Sequence, residues 1–249
     1  MAIRINTNVA AIAAQRHIGN NDRQIEHSIK ALASGNRIVT SGDDAAGLAI
    51  AEGLRGQIAG LKAAQKNAEN AVSLVQTAEG GLNEQNNILI RLRELAVQAA
   101  SDTVGDVERG FLDEEFNQLQ QEFERIANTT SIGKKQLLAG TGEEFEFHIG
   151  AQAGEENIVK YTLDADSRGS TLGIDSLGIA EKSDARDSLE NIDNALEKIG
   201  GMRANFGAMQ SRFSSAINHL GNNIENIEAA HSKIADVDIA EETANLAKA

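Results

Sequence analysis

The sequence predicts a mainly α protein, an elongated antiparallel helical coiled-coil bundle with a small β-hairpin region. Three observations carry that prediction. Proline is absent from all 249 residues, where average usage of about 5% would place roughly a dozen. Long unbroken helices exclude proline, because it removes a backbone donor and clashes with the preceding turn. Aromatic residues are 3% of the chain and Trp and Cys are missing, so the apolar content is supplied by Ala, Ile, Leu and Val. That is thin filling for a compact globule of this length, which would bury roughly 70–75% of its unfolded surface. Apolar residues also recur at intervals of seven over long stretches, as in helices that share a seam.

The first 40 residues carry a weak helical face at Ile25, Ile29 and Leu32. From about Asp43 to Ala100 a stronger stripe places Leu54, Ile58, Leu61, Ala68, Val72, Val75, Leu82, Leu89 and Ala96 at helical steps, with polar Gln65, Glu79 and Asn86 interrupting the seam. Ser41, Asp43 or Asp44 caps its start, a short side-chain oxygen accepting from the unpaired first-turn donors. After a polar break at 101–106, Leu112, Phe116, Leu119, Phe123 and Ile126 predict a shorter amphipathic helix that ends at 128–133. Phe145, Phe147 and Ile149 then alternate with polar residues, a loop follows, and Val159, Tyr161 and Leu163 alternate again, which predicts a hairpin. The C-terminal third has the most regular pattern. Ile192, Ile199, Phe206, Phe213, Leu220, Ile227 and Ile234 recur every seven residues as a helix-packing core, with Leu189, Leu196, Ile217 and Ile224 as a second row. One helix over 189–234 would span about 68 Å, and Gly200 and Gly201 are its candidate kink.

Charge and composition narrow the function. Lys and Arg total 23 against 37 Asp and Glu, a net charge of -14, which disfavours nucleic acid and anionic membrane surfaces as partners. Zero Cys excludes a disulfide scaffold and thiolate chemistry. No apolar run has the length of a signal-peptide core or a membrane span, and specialised secretion routes leave no such mark. Catalytic and metal-binding patterns are equally thin. His17, His27, His148, His219 and His231 lie on separate elements without zinc spacing. Asp164, Asp166, Gly169 and Asp175 fit positions of a calcium-loop template, yet Arg168 puts a cation where a ligand belongs, so the segment reads as a polar turn. Asn128-Thr129-Thr130 matches a glycosylation sequon, a short pattern that recurs by chance. The expectation is a protein that is not an enzyme, with no catalytic residue, metal or cofactor.

Long stretches in a fixed order resemble bacterial flagellin: IRINTN (3–8), ALASGNRIVTSGDDAAGLAI (31–50), the run from 54 to 84, IRLRELAVQAA (90–100), FHIGAQAGEENI (147–158) and the run from 203 to 242. The resemblance implies residues 1–42 as an N-terminal inner-layer helix, disordered without its partner. It implies 43–235 as a helical rod with a β-hairpin around 140–180, and 236–249 as the start of a C-terminal inner-layer helix that is truncated where relatives continue. Between Asn157 and about Ala180 the chain is short where relatives insert outer domains, which fits a minimal form.

By resemblance, the function is a structural subunit, exported and polymerised into the extracellular flagellar filament for swimming, with a coiled-coil hook-filament junction or adaptor protein as the alternative. The implied partners are other copies of the chain in a helical homopolymer, the flagellar export machinery and a secretion chaperone, filament cap and hook-junction proteins, and the flagellin-sensing Toll-like receptor of animal hosts. Neither nucleic acid nor membrane is among them. Carried over by motif, Arg91, Leu95 and Glu115 occupy the receptor-binding positions.

Overall fold

A computed structural model describes residues 8–248. Residues 1–7 of the N-terminal segment, most of the flagellin-like 3–8 stretch, and residue 249 lie outside the described residues. The chain is mainly helical and divides into two compact units, Met1–Lys62 with Gly221–Ala249, and Ala63–Leu220. Two long helices, α2 (Ala45–Ala99) and α5 (Lys182–Ala235), contribute to both.

The first unit begins with α1 (Val9–Ser34), whose start is capped by Asn8 Oδ1 accepting from the Ala11 amide at 3.1 Å. Gly35 ends it at φ 75°, the left-handed cap that glycine adopts without a Cβ penalty. The next segment is stitched to the bend after α5: Asn36 bridges Asp236, the Arg37 amide donates to the Ala235 carbonyl and the Val237 amide to the Gly35 carbonyl. That stitching lets α6 (Ile239–Lys248) turn back beside α1. Of the candidate caps, Asp44 holds the start of α2, its Oδ1 accepting from the Gly47 amide at 2.8 Å. Asp43 instead closes the preceding turn through the Val39 and Thr40 amides.

In the second unit, α2 and α5 run antiparallel, as Arg93 beside Asp193 and the Gln76–Asn83 face beside Arg203 and Gln210 require. Beside α2 lies α3 (Asp106–Thr129), which buries Arg109, Phe116, Phe123 and Ala127. Two rows of α2 are buried: Ala68, Val75, Leu82, Leu89 and Ala96, and Ala64, Ala71, Ala78, Gln85, Leu92 and Ala99. The first row, continued back to Leu61, matches the seven-spaced part of the sequence stripe, whereas Leu54, Ile58 and Val72 of that stripe are half-buried. The second was invisible as a row because it is mostly alanine, which marks close approach without a strong hydropathy signal. Gln65, Glu79 and Asn86, read as breaks in the seam, are half-buried flanks of it.

On α5, Ile192, Ile199, Phe206 and Phe213 are fully buried and Leu220 nearly so, while Ile227 and Ile234 are only half-buried. A strict seven-residue row drifts by about 20° per heptad on a straight helix, whereas an eleven-residue step drifts the other way. Ile224 and Ala235, eleven apart, accordingly take the buried positions near the end. The second row also differs from expectation. Ser188 and Ala195 are buried with Met202 and Met209 packed behind them, and Leu189, Leu196 and Ile217 flank the seam half-buried. The helix runs through Gly200 and Gly201 without interruption.

The expected hairpin is β3 (Glu144–His148) against β4 (Ile158–Thr162), with Phe145 opposite Tyr161 and Phe147 opposite Val159. Its inner face packs on α5, Phe147 edge-on to Phe213 at 5.3 Å between ring centres and Tyr161 against Phe206 at 6.0 Å. A smaller ladder, β1 (Ser131–Ile132) and β2 (Lys135–Gln136), escaped the sequence reading because two residues a side carry no alternation. Gly133 at φ 63° makes its turn.

The segment 163–179 is strapped across the unit by side chains that accept from or donate to its backbone. Gln85 Nε2 donates to the Phe123 and Ser167 carbonyls, Gln120 Nε2 to those of Ile174 and Leu177, and Glu124 and Asp113 accept from the amides of Gly169 and Ile179. A short helix, α4 (Gly169–Leu172), sits within the strap.

Candidate functional site

Two of the three sequence-derived positions, Arg91 and Glu115, meet on the face formed by α2 and α3. Arg91 lies near the C-terminal end of α2, about two turns before Ala99, and its Nε and Nη2 both reach Glu115 Oε1, at 2.9 and 2.6 Å. Nη1 donates to Glu94 Oε2 at 3.0 Å. The hydrogen bond to Glu115, with that to Glu94 behind it, raises the guanidinium's hold on its proton. Both partners are about half exposed, so the pair is screened by solvent and salt and adds little to stability. Its donors are taken up by exposed carboxylates of the same chain, and the pair stays open to a partner.

Leu95 does not join that surface. It is 1% exposed and belongs to the central apolar cluster, so a partner reaching it would have to part the helices. The reason is helical phase: Leu95 lies three residues after Leu92, on the buried face with it, and four after Arg91, at the edge where the outer face begins. The apolar side chains that do face outward are Ile90, Val97, Val107 and Phe111. Ile90 and Val97 flank a shallow depression with Arg93, Glu94 and Gln98. These were not singled out from the sequence. Their signal was there: Ile90 and Val97 are large apolar residues one step off the buried row at Leu89 and Ala96, and Val107 and Phe111 fall on the side of α3 away from Phe116 and Phe123.

The α5 core row, by contrast, lies inside the molecule wherever it is buried, and can act only through packing. The segment with calcium-loop spacing is occupied by its own cation. Asp166 accepts from Arg168 Nη2 at 2.6 Å and Nε at 2.8 Å, and from Thr171 Oγ1 at 2.8 Å. The guanidinium is the main cause of an Asp166 carboxyl held at about 2. Among the described residues no group of three His, Cys, Asp or Glu side chains is placed to hold a metal, and no described helix is long and apolar enough to cross a membrane. His27 contacts Asp43 at 3.3 Å in the turn after α1. Asn128 of the sequon points back along its own helix to Glu124.

The arrangement is thus one of packing faces and exposed helix surfaces, and comparison with known proteins agrees. Residues 5–143 match the bacterial flagellin N-terminal helical region and residues 189–249 the bacterial flagellin C-terminal helical region. Over 239 residues the chain is 40% identical to the flagellin of Halalkalibacterium halodurans, covering 96% of this chain and 87% of that protein. It is 38% identical to the flagellar filament 30.7 kDa core protein of Treponema maltophilum, covering 98% and 90%. With the flagellin of Bacillus subtilis it shares 35% identity over 99% of this chain and 91% of that one. Among solved structures, Bacillus cereus flagellin aligns with a TM-score of 0.56 at 29% identity, over 62% of this chain and 88% of that one. A flagellar hook-associated protein of Vibrio parahaemolyticus shares the fold at 15% identity with a TM-score of 0.67, over 78% of this chain and 100% of that one.

Proposed function

Because the chain belongs to the bacterial flagellin family, we propose that it is a structural subunit that is exported and stacks with copies of itself into the extracellular filament of the bacterial flagellum. The observation that carries this reading is the near full-length relationship to proteins named as flagellins and filament core proteins, at 35–40% identity. The geometry supports it. The interior is filled by helix–helix seams rather than shaped around a pocket, and large apolar side chains such as Phe111 and Val107 are left on the outside, where a repeating assembly would cover them. Open helical stacking needs different, complementary patches on one subunit. Export machinery, a secretion chaperone, the filament cap and hook-junction proteins are the partners this role entails.

The test is expression in a flagellin-less bacterium. Filaments visible by electron microscopy and restored swimming are the expected outcome; secretion of the chain without filaments would sink the reading.

The same surface is the candidate contact for the flagellin-sensing Toll-like receptor of animals, through Arg91 and Glu115. Leu95 acts there only by holding α2 beneath the pair. Binding of the receptor ectodomain to the monomer is expected to weaken in Arg91→Ala with the melting temperature unchanged. Equal binding by parent and variant would remove the site.

A further inference from the structure

On α5, Gly200, Arg203, Gly207 and Gln210 follow one another at steps of three, four and three and so share one helix face. Arg203 and Gln210 line a shallow polar groove with Gln76, Glu79, Gly80 and Asn83 of α2. Two features of this groove are not explained by contacts within the chain. Arg203 Nε is buried without an acceptor, and Arg203 takes part in none of the ion pairs among the described residues. An unpaired buried donor destabilises an isolated chain. The glycines are the second feature. A Cβ at Gly80, Gly200 or Gly207 would meet nothing within 4 Å, so intramolecular packing does not require a bare backbone there, although mid-helix glycine is less stable than alanine.

Both features fit an occupant that brings a carboxylate to the exposed part of the half-buried Arg203 side chain and lies close over the glycine backbone. The chain itself offers one. Val107, Phe111, Glu114 and Gln118 stand at i, i+4, i+7 and i+11 on the outer face of α3, and all are exposed. Val107 and Phe111 are each 69% exposed. Glu114, too, takes part in none of the ion pairs above. In a chain with 37 acidic side chains for 23 basic ones, an unpaired Arg meets carboxylates on every other copy.

We infer that the Gly80–Arg203 groove receives the outer face of α3 from a second copy of this chain, with Glu114 on Arg203 and Phe111 over the bare glycine backbone. Groove and α3 face are different patches of one subunit, so the contact is heterologous and propagates instead of closing into a dimer. This rests on the filament reading and names one of its interfaces.

Because the chain has no cysteine, single substitutions report the contact cleanly. Gln210→Cys in one chain is mixed with Val107→Cys or with Gln121→Cys in another, the two partners testing the two helix directions, and disulfide-linked dimers are quantified. One pairing is expected to link well above a control in which Gln152→Cys replaces Gln210→Cys. Arg203→Glu in the groove chain is expected to lower the yield about tenfold, and Glu114→Arg in the other chain to restore it. Circular dichroism of each variant confirms that it folds. A yield no higher than the control, or one indifferent to Arg203→Glu, overturns this contact whether or not filaments form. Absence of filaments in the flagellin-less host counts separately, against the subunit reading.

Discussion

Gly80 and Gly81 are neighbours in α2 with opposite consequences for substitution. A Cβ on Gly80 meets open space, whereas one on Gly81 would lie 2.7 Å from Thr130 Oγ1 and 2.8 Å from Leu138 Cδ1. Gly80→Ala is expected to stabilise the monomer by about 0.5–1 kcal/mol, the helix-propensity gain, and Gly81→Ala to destabilise it, which urea unfolding of the two variants would show. Phe213 is fully buried under the hairpin ring of Phe147, so Phe213→Ala should cost about 3–5 kcal/mol. Asp166 supplies a pH dependence. Its folded carboxyl sits at about 2, below the ordinary 3.8, chiefly through Arg168. A depressed carboxyl contributes stability that is fully present above the ordinary value and is lost as pH falls toward the folded one. The stability gap between the parent and Asp166→Asn should therefore be constant from neutral pH down to about 5 and shrink between 4 and 2. A gap that stays constant through that window would show that Asp166 is not paired in solution.

Among the elements, the α2 seam shows what hydropathy patterning can and cannot disclose. Leu82 and Leu89 stand out in the sequence, but the row through Ala71, Ala78 and Ala99 works by being small, and shape complementarity of that kind exists only against a partner helix. Ala78 is fully buried, and Ala78→Leu should cost about 1–3 kcal/mol by overpacking. In the same row Gln85 holds the strap through the Phe123 and Ser167 carbonyls. Gln85→Leu would leave the Ser167 carbonyl without its donor at a cost of about 1–3 kcal/mol, read as a lower urea midpoint and faster amide exchange over 163–179. The hairpin was legible because alternation at Phe145, Phe147, Val159 and Tyr161 is a property of the strand alone. The strap was not, since its order comes from Gln85, Gln120 and Glu124 on other elements.

For the whole molecule, a net charge of -14 makes self-association sensitive to salt. The screening length falls from about 30 Å at 0.01 M to about 8 Å at 0.15 M, so the assembled fraction at a fixed subunit concentration should rise across that range. A light-scattering series that is flat or falls with salt would show that attraction between unlike charges outweighs the net repulsion. Composition by itself determined the exclusion of proline, the lack of disulfide chemistry and the sign of that charge, and periodicity determined where the helices and the hairpin run. Those are properties of one segment at a time: a stripe or an alternation is written along the chain. Which row of a stripe is buried, which aspartate caps α2, and that Leu95 faces the core while Arg91 is tied to Glu115 were decided only by the tertiary structure. Each depends on helical phase against a neighbour distant in sequence, and a few tens of degrees of rotation, too small to change the pattern in the sequence, move a side chain from interior to surface.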